Sequence, residues 1–248
     1  MAIYIGTAGW SLRKDHADEF PSDGTHLERY AQRLNCVEIN SSFYRPHRVS
    51  TYQRWAASTP PEFRFAVKLP KQITHVQRLV DPEAQIDKFL DETSGLGEKR
   101  GPVLVQLPPS LEFDALVAER FFQAVRLRTD ARVVCEPRHP SWFNVEAASL
   151  LTRYSIDRVA ADPAVVVEAS SPGGAGRTAY FRWHGSPRVY YSKYDELALR
   201  NLAARLASAT QKATDVWCIF DNTALGAATG NALVLVEMLR GRSFVTHE

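Results

Sequence analysis

Short β-rich runs alternate with longer amphipathic stretches along the whole chain, and this alternation constrains the fold more than any other feature. Period-two and β-branched patterns predict strands over 3–6, 37–40, 63–68, 103–107, 132–136, 158–162, 179–184 and 216–221. Helical periodicity fills most of the gaps, over 27–34, 51–57, 82–96, 115–127, 145–154, 196–209 and 227–239. Asp81 before Pro82, Asp114, and either Asn222 or Thr223 stand where helix-capping residues are expected. Between the sixth and seventh strands the pattern changes. AVVVEA (164–169), the turn SSPGGAG (170–176) and the run from Arg177 predict a hairpin in place of the sixth helix. Eight strands at a spacing of roughly thirty residues match a (β/α)₈ TIM-type barrel, irregular at that point, as one domain over 1–248. A doubly wound nucleotide-binding sheet is the alternative, but no GxGxxG follows any strand.

Composition narrows the class further. The 248 residues carry 30 Lys+Arg against 28 Asp+Glu, too even a balance to argue for a dedicated nucleic-acid or membrane-surface protein. No apolar run reaches the roughly 18 residues of a membrane span, and MAIYIGTAGW lacks the parts of a signal peptide. Cys36, Cys135 and Cys218 lie in or beside apolar segments without metal spacing, which reads as buried thiols in a cytoplasmic protein.

Side chains alternate faces along a strand, so the apolar phase that meets the helices identifies the phase that points inward. The inward sets are Glu38 and Asn40; Arg64, Ala66 and Lys68; Gln106; Arg132, Val134 and Glu136, with Arg138 just beyond; Ala160 and Asp162; and Tyr180, Arg182 and His184. The eighth strand ends on Asp221–Asn222 with either phase open. The first is equally open, with Thr7 and Trp10 following it. Most polar members fall at C-terminal strand ends, where active sites of such barrels are built. Arg64 and Arg132, at strand starts, are expected to brace the opposite end.

Several chemistries fit this ring. Glu38 and Glu136 can divide acid and base roles if one carboxyl is held protonated, as in glycosidases. His184 and Asp221 join them as catalytic candidates. Lys68 can anchor a charge or form an imine. Arg138 and Arg182 suit a carboxylate or phosphate. The same ionisable groups also suit a salt-bridge network that closes the barrel top. No HExxH or HxH pair is present, and no cofactor is predicted. A divalent metal would need Glu38, Glu136, Asp162, His184 and Asp221 to converge, with His75 and His139 on adjoining loops. Trp10, Phe43, Tyr44, Trp142, Phe143, Tyr190, Tyr191 and Tyr194 can stack on sugars or bases or wedge the loops in place; Phe43 and Phe143 read as wedges. HGSP (184–187) and Gly226 occupy the positions after strands seven and eight where barrels often hold phosphate.

At these residues the chain resembles a known family. GTAGW (6–10), VEINSSFYR (37–45), FRFAVKLPKQITHVQRL (63–79), GPVLVQLPPS (101–110), CEPRHPSW (135–142), YFRWHG (180–185) and FDNTALGAATGNA (220–232) are collinear with motifs of the YecE-like family, domain of unknown function 72. The resemblance implies a TIM-type barrel. It places Glu38, Asn40, Tyr44, Lys68, Gln106, Glu136, Arg138, Trp142, His184, Asp221 and Asn222 in a shared cleft. Many members carry a tyrosine and a second tryptophan after the first glycine-tryptophan motif, where Leu12 and His16 stand here. The family brings no reaction.

Three functions are therefore expected, in this order. The first is acid–base chemistry on a small anionic, sugar-like or phosphorylated molecule, with Trp10, Asn40, Tyr44, Lys68, Gln106, Arg138, Trp142, Asp162, Arg182 and Asn222 binding it. The second is a metal-assisted phosphodiester hydrolase or isomerase. The third is a non-catalytic nucleic-acid binder using Arg45, Arg48, Arg54, Lys71 and Arg78.

Overall fold

A computed structural model describes residues 2–242 as an α/β fold with two largely parallel sheets. One has the order β1 (Ala2–Thr7), β10 (Asp215–Phe220), β9 (Thr178–Trp183), β7 (Ala160–Asp162). The other runs β2 (Cys36–Ile39), β3 (Arg64–Lys68), β4 (Arg100–Gln106), β5 (Val133–Glu136), β6 (Ile156–Arg158), β8 (Gly173–Gly174). They meet at a parallel bridge between Ala8 and Glu38, and again where the chain passes through Val159 from β6 to β7. No helix among the described residues is long and apolar enough to cross a membrane.

The helices begin where local chemistry supplies the missing acceptors. Thr25 and Glu28 form a capping box on α1 (His26–Ala31), which α2 (Ser41–Tyr44) and α3 (Val49–Ala57) follow in the chain. Asp114, Asn144 and Asp195 cap α5 (Ala115–Arg126), α6 (Val145–Arg153) and α7 (Glu196–Ala209) with side-chain oxygens. Asp81 does not cap α4 (Glu83–Thr93): its backbone is left-handed, with φ at 46°, and Pro82 takes the cap position. Asn222 does not cap α8 (Ala227–Arg242) either: its Oδ1 accepts no hydrogen bond, while its Nδ2 donates to Ser192 and Asn231 oxygens.

Two expectations fail between residues 156 and 183. The stretch 158–162 is not one strand. Residues up to Arg158 pair with β5, residues from Ala160 pair with β9, and Val159 between them enters the interior. The inward phase is therefore reversed, and Ala160 joins the outer core. Nor is there a hairpin. β9 already has β7 on one edge and β10 on the other, so AVVVEA finds no free edge to pair with. It forms a loop and one 3₁₀ turn, Val167–Ser170, and the glycines pair antiparallel with β6.

Val37, Ile39, Phe65, Val67, Val103 and Val105 face the helices in one core. A second core lies between the sheets in layers. Trp217 stacks on Tyr4 (4.5 Å) and Tyr180 (6.0 Å) toward the strand starts, where Arg132 pairs with Asp215. Cys36, Ala66, Leu104, Val134 and Ile219 form the middle. The polar strand ends lie above. Gly6 fixes how closely β1 approaches this core, since a Cβ there would sit 2.1 Å from the Cys36 carbonyl oxygen. Gly6→Ala should destabilise the protein by about 1–3 kcal/mol, the cost of overpacking a rigid interior, and lower the urea midpoint. An unchanged midpoint would show that β1 yields freely.

Candidate functional site

Arg182, fully buried near the end of β9, is the hub of the polar layer. Its Nε and Nη2 donate to Glu38 Oε2 and Oε1 at 3.0 and 2.7 Å, and Nη1 donates to Glu136 Oε2 at 2.6 Å. Nη2 also donates to Asp221 Oδ2 at 3.0 Å. Tyr180 adds its hydroxyl to Glu38 Oε2 at 2.9 Å. Removing such ions from water costs several kcal/mol each, which only close pairing of this kind offsets. The parallel register makes it possible. Gln106 stands beside Glu136 on β4 and β5, and Arg182 beside Ile219, two residues before Asp221.

Glu136 and Asp221 are held ionised. Burial pushes the Glu136 carboxyl up, but Arg138, Arg182 and His184 together hold it well below the usual glutamate range. Asp221 is lowered in the same way, its burial outweighed by Arg182 and by the His184 hydrogen bond. Glu136 is therefore no general acid near neutral pH.

His184 has more neighbours than ring protons. Nδ1 lies 2.9 Å from Asp221 Oδ2, while Nε2 lies 2.8 Å from Arg138 Nη2 and 3.0 Å from Glu136 Oε1. A guanidinium can only donate, so contact with Arg138 makes Nε2 an acceptor and assigns the single proton to Nδ1. A second proton would turn Nε2 toward Glu136 and release Arg138, which also sits 2.5 Å from Glu136 Oε1 through Nε. Which of the two Nε2 contacts is a hydrogen bond depends on whether the ring carries one proton or two.

Lys68 ends β3 on the same side. Its Nζ lies 4.1 Å from the centroid of the Phe43 ring, and among the described residues no carboxylate is within ion-pair distance of it. Burial and the Arg182 charge push its pKa down to about 8, only partly countered by Glu38, Asp221 and Glu136. Phe43 meets His75 edge-on at 4.9 Å, and His75 Nδ1 lies 2.8 Å from Thr74 Oγ1. Burial, then Lys68 and Arg138, lower the His75 pKa.

The structure thus gathers Glu38, Lys68, Glu136, Arg138, Arg182, His184 and Asp221. Asn40 and Gln106 are half-buried at the ends of β2 and β4; Asn40 Oδ1 is enclosed without a partner. Trp10 stands edge-on to Trp55, and Tyr44 is 70% exposed beside Phe43. Three expected members lie elsewhere. Asp162 pairs in register with outward-facing Trp183 and accepts from Tyr194 at 2.6 Å. Trp142 is buried against Phe113, with its indole N–H on Leu111 O. Asn222 ties the loop after β9 to α8. His139 accepts from the Ser141 N–H in its own turn, and the Gly185 N–H is taken by Tyr194. Tyr180 was absent from the expected site, although its strand phase with Arg182 and His184 could have placed it there.

Residues 4–247 match the family described as "Protein of unknown function DUF72". The UPF0759 protein YecE of Escherichia coli K12 is 33% identical over 141 residues, which is 57% of this chain and half the length of that relative. A crystal structure of a DUF72 family protein from Thermotoga maritima superposes with TM-score 0.81 at 24% identity, covering 97% of this chain and all of the other. A xylose isomerase-like TIM barrel/4-hydroxyphenylpyruvate dioxygenase fusion protein gives 0.54 at 16%, over 98% of this chain and 44% of the other. The last two likenesses concern the fold alone.

Ionised Glu136 and Asp221 fix the sign of the acid response. Their folded pKa values lie below the ordinary 4.5 and 3.8, so the stability they contribute is present above those values and is lost as pH falls through the folded ones. The urea midpoint should therefore drop progressively below about pH 5, and Glu136→Gln should flatten the slope. Arg182→Met, which leaves three carboxylates facing one another, should cost about 3–5 kcal/mol at neutral pH. A wild-type midpoint indifferent to acid would contradict this electrostatic account.

Proposed function

From the premise that the chain belongs to the DUF72 family, whose description names no reaction, we propose that the two sheets form one (β/α)₈ barrel enzyme of the cytoplasm. Its strand-end cleft binds a small anionic, sugar-like or phosphorylated molecule and transfers a proton through His184. Lys68 carries this reading. A network that merely closed the barrel would pair every buried cation, as it does Arg182. Lys68 instead sits buried over an aromatic ring with no carboxylate partner among the described residues, and its charge and that of half-buried Arg138 both bear on His75. An anionic group there would supply the direct partner that Lys68 lacks. His184, whose Nε2 faces both Arg138 and Glu136, is the group to which this reading assigns the proton transfer.

This reading is favoured over the metal-assisted one because the carboxylates expected to converge on a cation converge on the Arg182 guanidinium. Among the described residues no three His, Cys, Asp or Glu side chains are grouped to share a metal ion. Nucleic-acid binding would rely on Arg45, Arg48, Arg54, Lys71 and Arg78, all exposed, and would weaken steeply with salt.

Thermal shifts and titration calorimetry with inorganic phosphate, small carboxylates and sugar phosphates test the proposal. Some of these anions should raise the melting temperature at pH 7, and Lys68→Met or Arg138→Gln should weaken binding about tenfold or more, as loss of a charge-assisted contact requires. A bound anion stabilises protonated Lys68, so binding should take up protons near pH 8 and weaken above it. No stabilisation by any of the anions, or shifts that both variants retain, would remove the proposal.

A further inference from the structure

We infer that Lys68 is an amine nucleophile that forms an imine with a small aldehyde or ketone carrying a carboxylate or phosphate, with His75 moving the protons and Arg138 holding the anionic group. The inference rests on the anion-binding reading of the same cleft and names its substrate class.

The placement of the amine comes first. Ser42 Oγ donates to the Lys68 carbonyl at 2.7 Å and fixes the end of β3, so the side chain leaves a rigid strand. Its Nζ rests over Phe43, while the three neighbouring carboxylates are engaged by arginines and His184. A lysine serving only as a structural counter-ion would lie within reach of one of them. An amine needs the opposite environment to act as a nucleophile, because only the uncharged form has a free electron pair.

A histidine contacts the same ring. His75 faces Phe43 edge-on, and the charges of both Lys68 and Arg138 bear on it. In the tautomer that donates Nδ1–H to Thr74 Oγ1, a buried hydroxyl, Nε2 keeps a lone pair. The loop that presents it is unusual. Gln72–Val76 forms a π-helical turn, followed by left-handed Arg78, Leu79 and Asp81 at φ 51°, 72° and 46°. Such conformations cost about 1–3 kcal/mol each outside glycine and persist where the surroundings enforce them. Here Arg78 Nη2 is bound to Ser110 O at 2.8 Å and Leu79 is buried.

The step balances without a co-reactant. The Nζ lone pair attacks the carbonyl carbon, forming the C–N bond while the C=O π pair moves to oxygen. His75 Nε2 accepts a proton from nitrogen and returns it to that oxygen. Loss of the second nitrogen proton accompanies departure of the oxygen as water and leaves a C=N bond. Both protons that leave Nζ end on the water, and nothing is oxidised or reduced.

The experiment incubates wild-type protein with pyruvate, glyoxylate or glyceraldehyde 3-phosphate near pH 8, adds sodium borohydride, and maps the reduced adduct by peptide mass spectrometry. One adduct per chain should fall on Lys68. It should vanish in Lys68→Arg and form about 100-fold more slowly in His75→Gln. Adducts spread over exposed Lys14, Lys71 and Lys88 with no preference for Lys68 would overturn the inference on wild-type protein alone, whether or not a variant folds. Absence of trapping while phosphate or carboxylates still stabilise the wild type would remove the imine and leave the anion cleft standing. Absence of both would remove both.

Discussion

One guanidinium holds together side chains from four strands. Glu38 on β2, Glu136 on β5 and Asp221 after β10 reach Arg182 on β9, and no three of these strands are neighbours in one sheet. The two sheets share few backbone hydrogen bonds where they meet, the Ala8–Glu38 bridge being one such contact. The Arg182 cluster therefore ties one sheet to the other at their C-terminal ends, as the Tyr4–Trp217–Tyr180 stack and the apolar middle layer do below it. Packing alone could supply such a tie. A charged one is costly to bury, and its persistence is explained more readily by a site above it than by stability.

Charge balance sharpens that point. With Asp162 turned outward, the cluster holds Glu38, Glu136 and Asp221 against Lys68, Arg138 and Arg182, with His184 shared between carboxylates and guanidinium. The balance is even in sign but uneven in contact. Arg182 is enclosed by partners, Arg138 lies at the edge with donors toward Glu136 and His184, and Lys68 has only a ring face. The negative charge is thus directly neutralised, while one buried positive charge, that of Lys68, is left without a direct partner among the described residues.

Much of this was legible in the sequence, because strand phase is a strict code when one face is apolar. Val37 and Ile39, or Val103 and Val105, leave no choice about where Glu38 and Gln106 point. The code failed at 158–162. Val159, Ala160 and Ala161 are all small or apolar, so neither phase stood out, and the break at Val159 is set by pairing to β5 and β9 rather than by local preference. AVVVEA misled for a related reason: β propensity shows what a segment tolerates, and a strand also needs an open edge. Trp142 shows a third limit. An aromatic in a loop near strand ends looks the same in sequence whether it faces the cleft or, as here, packs beneath the loop with its N–H satisfied. His75 was visible only as a histidine on an adjoining loop. Its position depends on a π turn and three left-handed residues, which no sequence period announces.

The two kinds of cation in the cluster are not interchangeable, and their distribution follows from their chemistry. Position 182 must satisfy three carboxylates in different directions while remaining charged at every accessible pH, which suits a planar fork of donors whose proton is never lost. Position 68 shows the reverse. Its ammonium is a point charge on a flexible stem, and burial beside Arg182 brings its proton loss to about 8. An arginine there would anchor an anion but could not become an uncharged nucleophile, whereas a lysine at 182 could not bridge Glu38, Glu136 and Asp221 at once. Arg182, by holding those carboxylates, also keeps them from Lys68. The fixed charge that organises the fold is thereby what leaves the titratable amine beside it free to react.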